Sequence, residues 1–362
     1  MKLLEPIATP GLSLANRVVM APMSRRRVEN EGVPSGLLAR YYAQRASAGL
    51  IIAESTVVSR DGMGISLLPG IYSEEQVAGW RKVTEAVHRQ GGKIFVQLVH
   101  SGRIGHALNI PGATGPVAPS AIAAAGTINT PAGAQPLPVP KALSAEAVEA
   151  MYELHMQATR NALAAGFDGV ELHAAHGYLM EQFIHPAANQ RTDEYGGSIE
   201  NRCRLPLRVL EGMVAIAGAD RIGVRFSPFA SLNGLSPYEE EAATHLYLAA
   251  KLDKMKIRYI HLSDQSSNGY TPIPPAFITL LRQAFRQWLI LAGGYNASTA
   301  TQALQQFDAD LIAFGRPFIS NPDLVARIAQ QQPFAPADKA TFYEGGANGL
   351  IDYPCLSACA TS

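Results

Sequence analysis

A chain of 362 residues, 47% of them hydrophobic, can bury a sizeable core; it is long for one average domain and ordinary for a single α/β barrel. Thirty Lys and Arg balance thirty Asp and Glu with no run of like charge, which argues against nucleic acid or a membrane surface as partner. An N-terminus interrupted by Glu5, Pro6 and Asn16, no window near the ~20 apolar residues of a membrane span, and only three cysteines argue against secretion, membrane insertion and a disulfide framework, so a cytoplasmic protein is expected.

One unit recurs along the chain: a helical segment, a Gly or polar break, then a short apolar β-rich run. "RVVMAPM" (17–23) is the first strand candidate. "LLARYYAQRASAG" leads into "LIIAEST" (50–56). "SEEQVAGWRKVTEAVHRQGG" opens with Ser73 and Gln76 at capping-box spacing and closes at Gly91-Gly92 before "KIFVQLV" (93–99). From Ile104 to Ala142 the rhythm breaks. This stretch is rich in Pro, Gly and Ala, carries no charged side chain before Lys141, and reads as an elaborated loop after the third strand.

"SAEAVEAMYELHMQATRNALAAG" resumes the pattern, with Met151, Leu154, Ala158, Ala162 and Ala165 on one predicted stripe; Gly166 ends it before "GVELH" (169–173). Helix and strand then alternate through "IGVRF", "RYIHLS", "LILAGG" and "LIAFG". Eight near-continuous apolar strands, each preceded or followed by a helix, predict a single (β/α)8 TIM barrel across residues 1–362. The doubly wound alternative would want a G-x-G-x-x-G after its first strand, and none is there.

In such a barrel the chemistry sits at the C-terminal strand ends. These ends carry Pro22-Met23-Ser24, Ala53-Glu54-Ser55, Gln97 to His100, His173 to His176, and Arg225. Gly293-Gly294 and Gly315-Arg316 end strands seven and eight, where this fold repeatedly holds a phosphate: unobstructed backbone N–H groups and a cation are what that needs. Arg225, always charged at the end of a buried strand, requires an anion or a strongly polar ligand, such as a reduced flavin, or a barrel carboxylate. Gln97 can donate to and accept from a flavin pyrimidine edge.

His173, His176 and Tyr178 allow three readings: a metal site, a hydrogen-bonded structural pair, or two donors polarising a substrate oxygen with a phenol as proton source. H-x-x-H has no Glu or Cys beside it, and no metal is expected.

At this point the residues resemble a known family. "VVMAPMSRRR" (18–27), "FVQLVHSGR" (95–103), "HAAHGYLMEQFIHPAANQRTDEYGGSIENR" (173–202), "VRFSP", "AFGRPFISNPDL" and "FYEGGANG" follow in the order of the Old Yellow Enzyme family of FMN-dependent ene-reductases, over essentially the full length. The resemblance implies noncovalent FMN at the barrel mouth, with Gly293, Gly294, Gly315 and Arg316 at its phosphate and Pro22, Met23, Ser24, Ala53, Gln97 and Arg225 around its ring. It implies NADPH or NADH as transient reductant and an electrophilic alkene or nitro compound as small-molecule partner. His173 and His176 would hold the activating group and Tyr178 would deliver the proton. The oligomeric state stays open.

Three departures bear on substrate range. Ser24 stands where Thr or Cys is common. Val99 replaces a frequent Trp and should enlarge the cavity, and Leu350-Ile351 replaces Tyr-Thr and should make it less polar. Two rival enzymes share the barrel. A dienoyl-CoA-reductase-like member would need four cluster ligands where only Cys355 and Cys359 offer themselves, and a non-redox lyase or isomerase would want a strand-end Lys or Glu, of which Glu54 alone is present.

Overall fold

The computed structural model describes residues 1–28, 31–110, 112 and 115–356. Eight parallel strands close a barrel: β1 (Val18–Met20), β2 (Leu50–Val57), β3 (Ile94–Val99), β4 (Gly169–His173), β5 (Ile222–Phe226), β6 (Tyr259–Ser263), β7 (Trp288–Ala292) and β8 (Leu311–Phe314). The predicted TIM barrel is therefore the fold. Helices α1 (Gly36–Ala43), α2 (Glu74–Arg89), α3 (Ala145–Ala164), α4 (Arg204–Ala217), α5 (Glu241–Met255), α6 (Pro275–Ala284) and α7 (Ala297–Gln306) occupy the connections. The capping box forms as read, with Ser73 and Gln76 each satisfying the other's backbone N–H.

Six of the eight strands feed two cores, whereas the apolar residues of β4 and β5 join only the outer one. Val18, Met20, Ile51, Ala53, Ile94 and Val96 face the helices, while Val19, Leu50, Ile52, Phe95, Tyr259, Trp288 and Ile290 fill the barrel. The interior is packed by contrast of size. A Cβ on Gly169 would meet the Phe95 ring at 2.3 Å, and one on Gly223 the Tyr259 ring at 2.2 Å. These two rings lie 5.9 Å apart across the floor. Overpacking a filled core costs about 1–3 kcal/mol, so Gly223→Ala should lower the urea midpoint by that much stability with an unchanged m-value.

A hairpin (Ile7–Thr9 with Leu12–Leu14) closes the bottom of the barrel, inserting Leu12 and Leu14 under Leu50 and Leu311. It has no counterpart in the predicted elements. Of the predicted stripe, Ala158, Ala162 and Ala165 are buried while Met151 and Leu154 are only half-buried, and Val148, His155, Met156 and Thr159 complete the buried face of α3. Two polar residues occupy the inner stripe because their hydrogen bonds go to the helix's own carbonyls: His155 Nδ1 to Met151 at 2.7 Å and Thr159 Oγ1 to His155 at 2.7 Å.

The long excursion after β3 carries two small sheets. Val117–Ala118 pairs with Lys141–Ala142, and Thr127–Thr130 forms a hairpin with Gly133–Pro136. Ile104, Ala124, Ile128 and Leu137 pack together against Ile65 and Tyr178. The loop thus becomes a wall of the mouth.

Candidate active site

β4 delivers His173, and register places it beside Arg225 of β5. The chain then turns through His176 (φ 58°) and Gly177 (φ 74°), two successive left-handed residues. Gly177 cannot be larger, because a Cβ would lie 2.7 Å from Asn233 Cβ. For histidine this backbone is uncommon and must be held from outside. Ser227 Oγ accepts the His176 N–H at 2.8 Å, Asn233 Nδ2 donates to the His176 carbonyl at 2.8 Å, and the Glu181 carboxylate accepts from both Gly177 N–H and Ser227 Oγ–H. Tyr178 then caps a short helix, Leu179–Ile184.

The result is a three-ring cluster. His173 meets His176 edge-on with centroids 5.2 Å apart and Tyr178 with centroids 5.0 Å apart. Burial holds both imidazoles well below the ordinary histidine range, and the neighbouring Arg225 guanidinium pushes the same way; both rings are neutral at pH 7. Burial raises the Tyr178 phenol, so it keeps its proton.

The hydrogen-bond network assigns the tautomers. The Ala175 N–H donates to His173 Nδ1 at 3.3 Å, which leaves the proton on Nε2. Ser263 Oγ already accepts from Arg225 Nη2 (3.1 Å) and Gln265 Nε2 (2.7 Å), so its own proton points to His176 Nε2, 2.9 Å away, leaving the proton of that ring on Nδ1. Each ring therefore keeps one N–H. Among the described residues no group of three His, Cys, Asp or Glu could hold a metal. Cys203 is a buried free thiol, and Cys359 lies outside the described residues.

Below the rings, Gln97 Oε1 accepts from Ser55 Oγ at 2.7 Å and its Nε2 donates to Glu171 at 2.7 Å, while Glu171 also holds His261 at 2.9 Å. The Gln97 amide is thereby fixed in one orientation, with one N–H and one carbonyl lone pair left for a ligand. Arg225 is 7% exposed and makes no ion pair among the described residues; its Nε is buried with no partner.

The cavity over these groups has a volume of about 930 Å³ and runs past Pro22, Met23, Arg225 and Arg316 into a smaller lobe of about 180 Å³. Gly293, Gly294, Gly315 and Arg316 line that lobe. A Cβ on Gly294 would lie 2.6 Å from Ser267 Cβ, and Arg316 Nη2 rests on Ser267 Oγ at 3.0 Å.

Pro22, Met23, Ser24, Gln97, His173, His176, Tyr178 and Arg225 come together as read. Ala53 does not. It is fully buried in the layer under the helices, and the pairing of β2 with β3 shifts register between Ala53 and Ser55, so the bulge turns Ser55 into the cavity instead. Leu350 is fully buried in the outer core, and Val99 packs with Val57 and Leu68 beneath Tyr178; neither lines the cavity. The aromatic contacts come from Phe342 and Tyr343, carried by a segment that Arg25 and Arg27 bind through the carbonyls of Thr341, Phe342, Glu344, Gly346 and Gly349. Ser263 was missed too; the end of β6 obeys the same strand-end rule as its neighbours.

Fold and mouth together define an α/β barrel with a donor-lined cavity at its C-terminal strand ends. The sequence model of the NADH:flavin oxidoreductase / NADH oxidase family matches residues 2–334, and the chain belongs to that family. A "Probable flavin mononucleotide-dependent alkene reductase" of Leishmania infantum is 40% identical over 98% of this chain and 97% of its own. The "12-oxophytodienoate reductase 7" of Oryza sativa subsp. japonica is 38% identical over 98% and 94%. Among solved structures, morphinone reductase superposes with a TM-score of 0.94 at 43% identity, covering 98% of this chain and 96% of that one. An Old Yellow Enzyme homologue from Zymomonas mobilis gives a TM-score of 0.94 at 39%, covering 98% and 100%. No helix of the described residues is long and apolar enough to cross a membrane.

Proposed function

We propose that this chain is an ene-reductase that binds FMN as one barrel unit and accepts electron-poor alkenes: enones, maleimides and nitro-alkenes. One observation carries the reading: two neutral imidazoles and a protonated phenol face the same cavity that continues into a glycine-lined lobe bearing Arg316. The residues suit FMN. The orphaned Arg225 Nε asks for an acceptor, and the free positions on Gln97 suit a pyrimidine edge. Gly293, Gly294, Gly315 and Arg316 would hold the phosphate, and Pro22, Met23, Ser24 and Ser55 would flank the ring.

The chemistry that FMN would supply, once bound here and reduced by NADPH or NADH, is hydride transfer to the β-carbon of the acceptor. His173 and His176 donate their remaining N–H groups to the carbonyl or nitro oxygen and stabilise the charge that grows there. Tyr178 gives its proton to the α-carbon. A relative whose structure carries tetrahydroNAD (morphinone reductase, TM-score 0.93, 42% identity, covering 99% of this chain and 98% of that one) supports the nicotinamide reductant.

The direct test is the purified protein's visible spectrum before and after addition of FMN, followed by NADPH oxidation with and without cyclohexenone. Protein that stays colourless in the presence of FMN ends the proposal. Arg225→Leu should weaken FMN binding about ten- to a hundredfold in a fluorescence titration, the loss of one charge-assisted contact. Unaltered affinity together with an unaltered flavin potential would remove Arg225 from the ring site.

A further inference from the structure

We propose that the outer mouth of the cavity docks an anionic group, a phosphate or carboxylate carried by whatever occupies the site, on Arg26 and Lys339. The inference rests on the FMN reading above and adds to it the charge of the second ligand. The whole chain is neutral, with thirty acidic residues, yet among the described residues no Asp or Glu lines this cavity. Five cations do: Arg25, Arg26, Arg225, Arg316 and Lys339. A cleft lined by one sign of charge concentrates ligands of the other.

Three of the five have other partners. Arg316 and Arg225 answer to the FMN phosphate and ring. Arg25 is buried, with its guanidinium bound to Phe342, Thr341 and Gly349 carbonyls and to the Tyr41 hydroxyl. Arg26 is different from both arginines beside it. Its backbone is left-handed (φ 53°), and among the described residues its guanidinium hydrogen-bonds only Ser66, at 3.3 Å from the carbonyl and 3.1 Å from Oγ, both neutral acceptors. Lys339 is exposed and has no ion pair among the described residues. Among the described residues neither Arg26 nor Lys339 pairs with a carboxylate, so with FMN bound both charges remain open to a ligand. Arg26 offers a planar fork suited to a phosphate or carboxylate, and Lys339 a mobile point charge.

An occupant whose reacting end reaches the imidazole pair would bring its charged end to this rim. The anion has two sources: the 2′-phosphate that separates NADPH from NADH, or a carboxylate on the acceptor. FMN-loaded wild type, Arg26→Gln, Lys339→Gln and the double variant would be assayed with NADPH against NADH, and with an enone carboxylate against its methyl ester. In wild type at low salt, kcat/KM should favour the anionic member of at least one pair, and the preference should shrink as salt rises. In the double variant that ratio should fall about tenfold or more, as expected for losing charge-assisted contacts.

A fall confined to the nucleotide pair assigns the site to the reductant's phosphate; a fall confined to the acid–ester pair assigns it to the substrate. If neither ratio moves in the double variant, or neither responds to salt in wild type, the proposal is wrong while the ene-reductase reading stands. Absence of turnover with every member of both pairs would instead remove that reading and this inference with it. Lys339→Gln, at an exposed position, guards against a result that reflects misfolding of the Arg26 variant.

Discussion

Tyr178→Phe is expected to slow the oxidative half-reaction with enones by roughly 10²–10⁴, the usual contribution of a positioned general acid, while FMN reduction by NADPH keeps its rate. The substitution removes one oxygen and little else. The ring is buried beside His173 at 5.0 Å and over the Val57, Leu68 and Val99 cluster, contacts that phenylalanine preserves. The phenol is a competent acid because burial keeps it protonated through the neutral range. Stopped-flow spectroscopy of the flavin separates the halves. If both proceed at wild-type rates with a substrate that requires protonation, another group or water supplies the proton.

The barrel was legible because fully buried parallel strands print themselves as unbroken apolar runs, and "LIIAEST", "KIFVQLV" and "GVELH" became β2, β3 and β4 within a residue or so. The bottom hairpin was not: strands of three residues are too short to show a period. The α3 stripe was read only in its second half: Ala158, Ala162 and Ala165 are buried, Met151 and Leu154 only half so. His155 and Thr159 bury polar atoms by bonding backward along their own helix, which an apolar count scores as surface.

The site divides along a similar line. Positions fixed by the local chain, such as the His173–Tyr178 turn and the glycines of the smaller lobe, could be read from the strand ends. Positions fixed by pairing could not. Ala53 and Ser55 exchange roles because of a register shift between two strands far apart in sequence, and no property of "LIIAEST" alone announces it. Phe342 and Tyr343 reach the cavity from an irregular segment that two arginines near β1 tie down across more than 300 positions of chain. Leu350 looked like a cavity residue only by likeness to relatives; its burial in the outer core follows from that same tied segment.

Loss of either imidazole should cost roughly 10²–10³ in enone reduction, the effect of deleting one donor aimed at developing negative charge. His173→Ala and His176→Ala should also weaken phenolate binding, read as loss of the long-wavelength absorption such ligands give with the flavin, and both should retain FMN. The two differ in how they are held. His173 leaves a regular strand, and one backbone N–H sets its tautomer. His176 depends on a left-handed turn braced by Ser227, Asn233 and Glu181 and on the Ser263 hydroxyl that selects its protonated nitrogen. Glu181→Leu should therefore mimic part of the His176→Ala loss without touching substrate, because it removes the acceptor for both Gly177 N–H and Ser227 Oγ–H. If both histidine variants lose their flavin on a desalting column, the pair builds the cofactor site and the donor role assigned to it is wrong. Should they keep flavin yet bind phenols and reduce enones as wild type does, the oxygen of the substrate is held elsewhere.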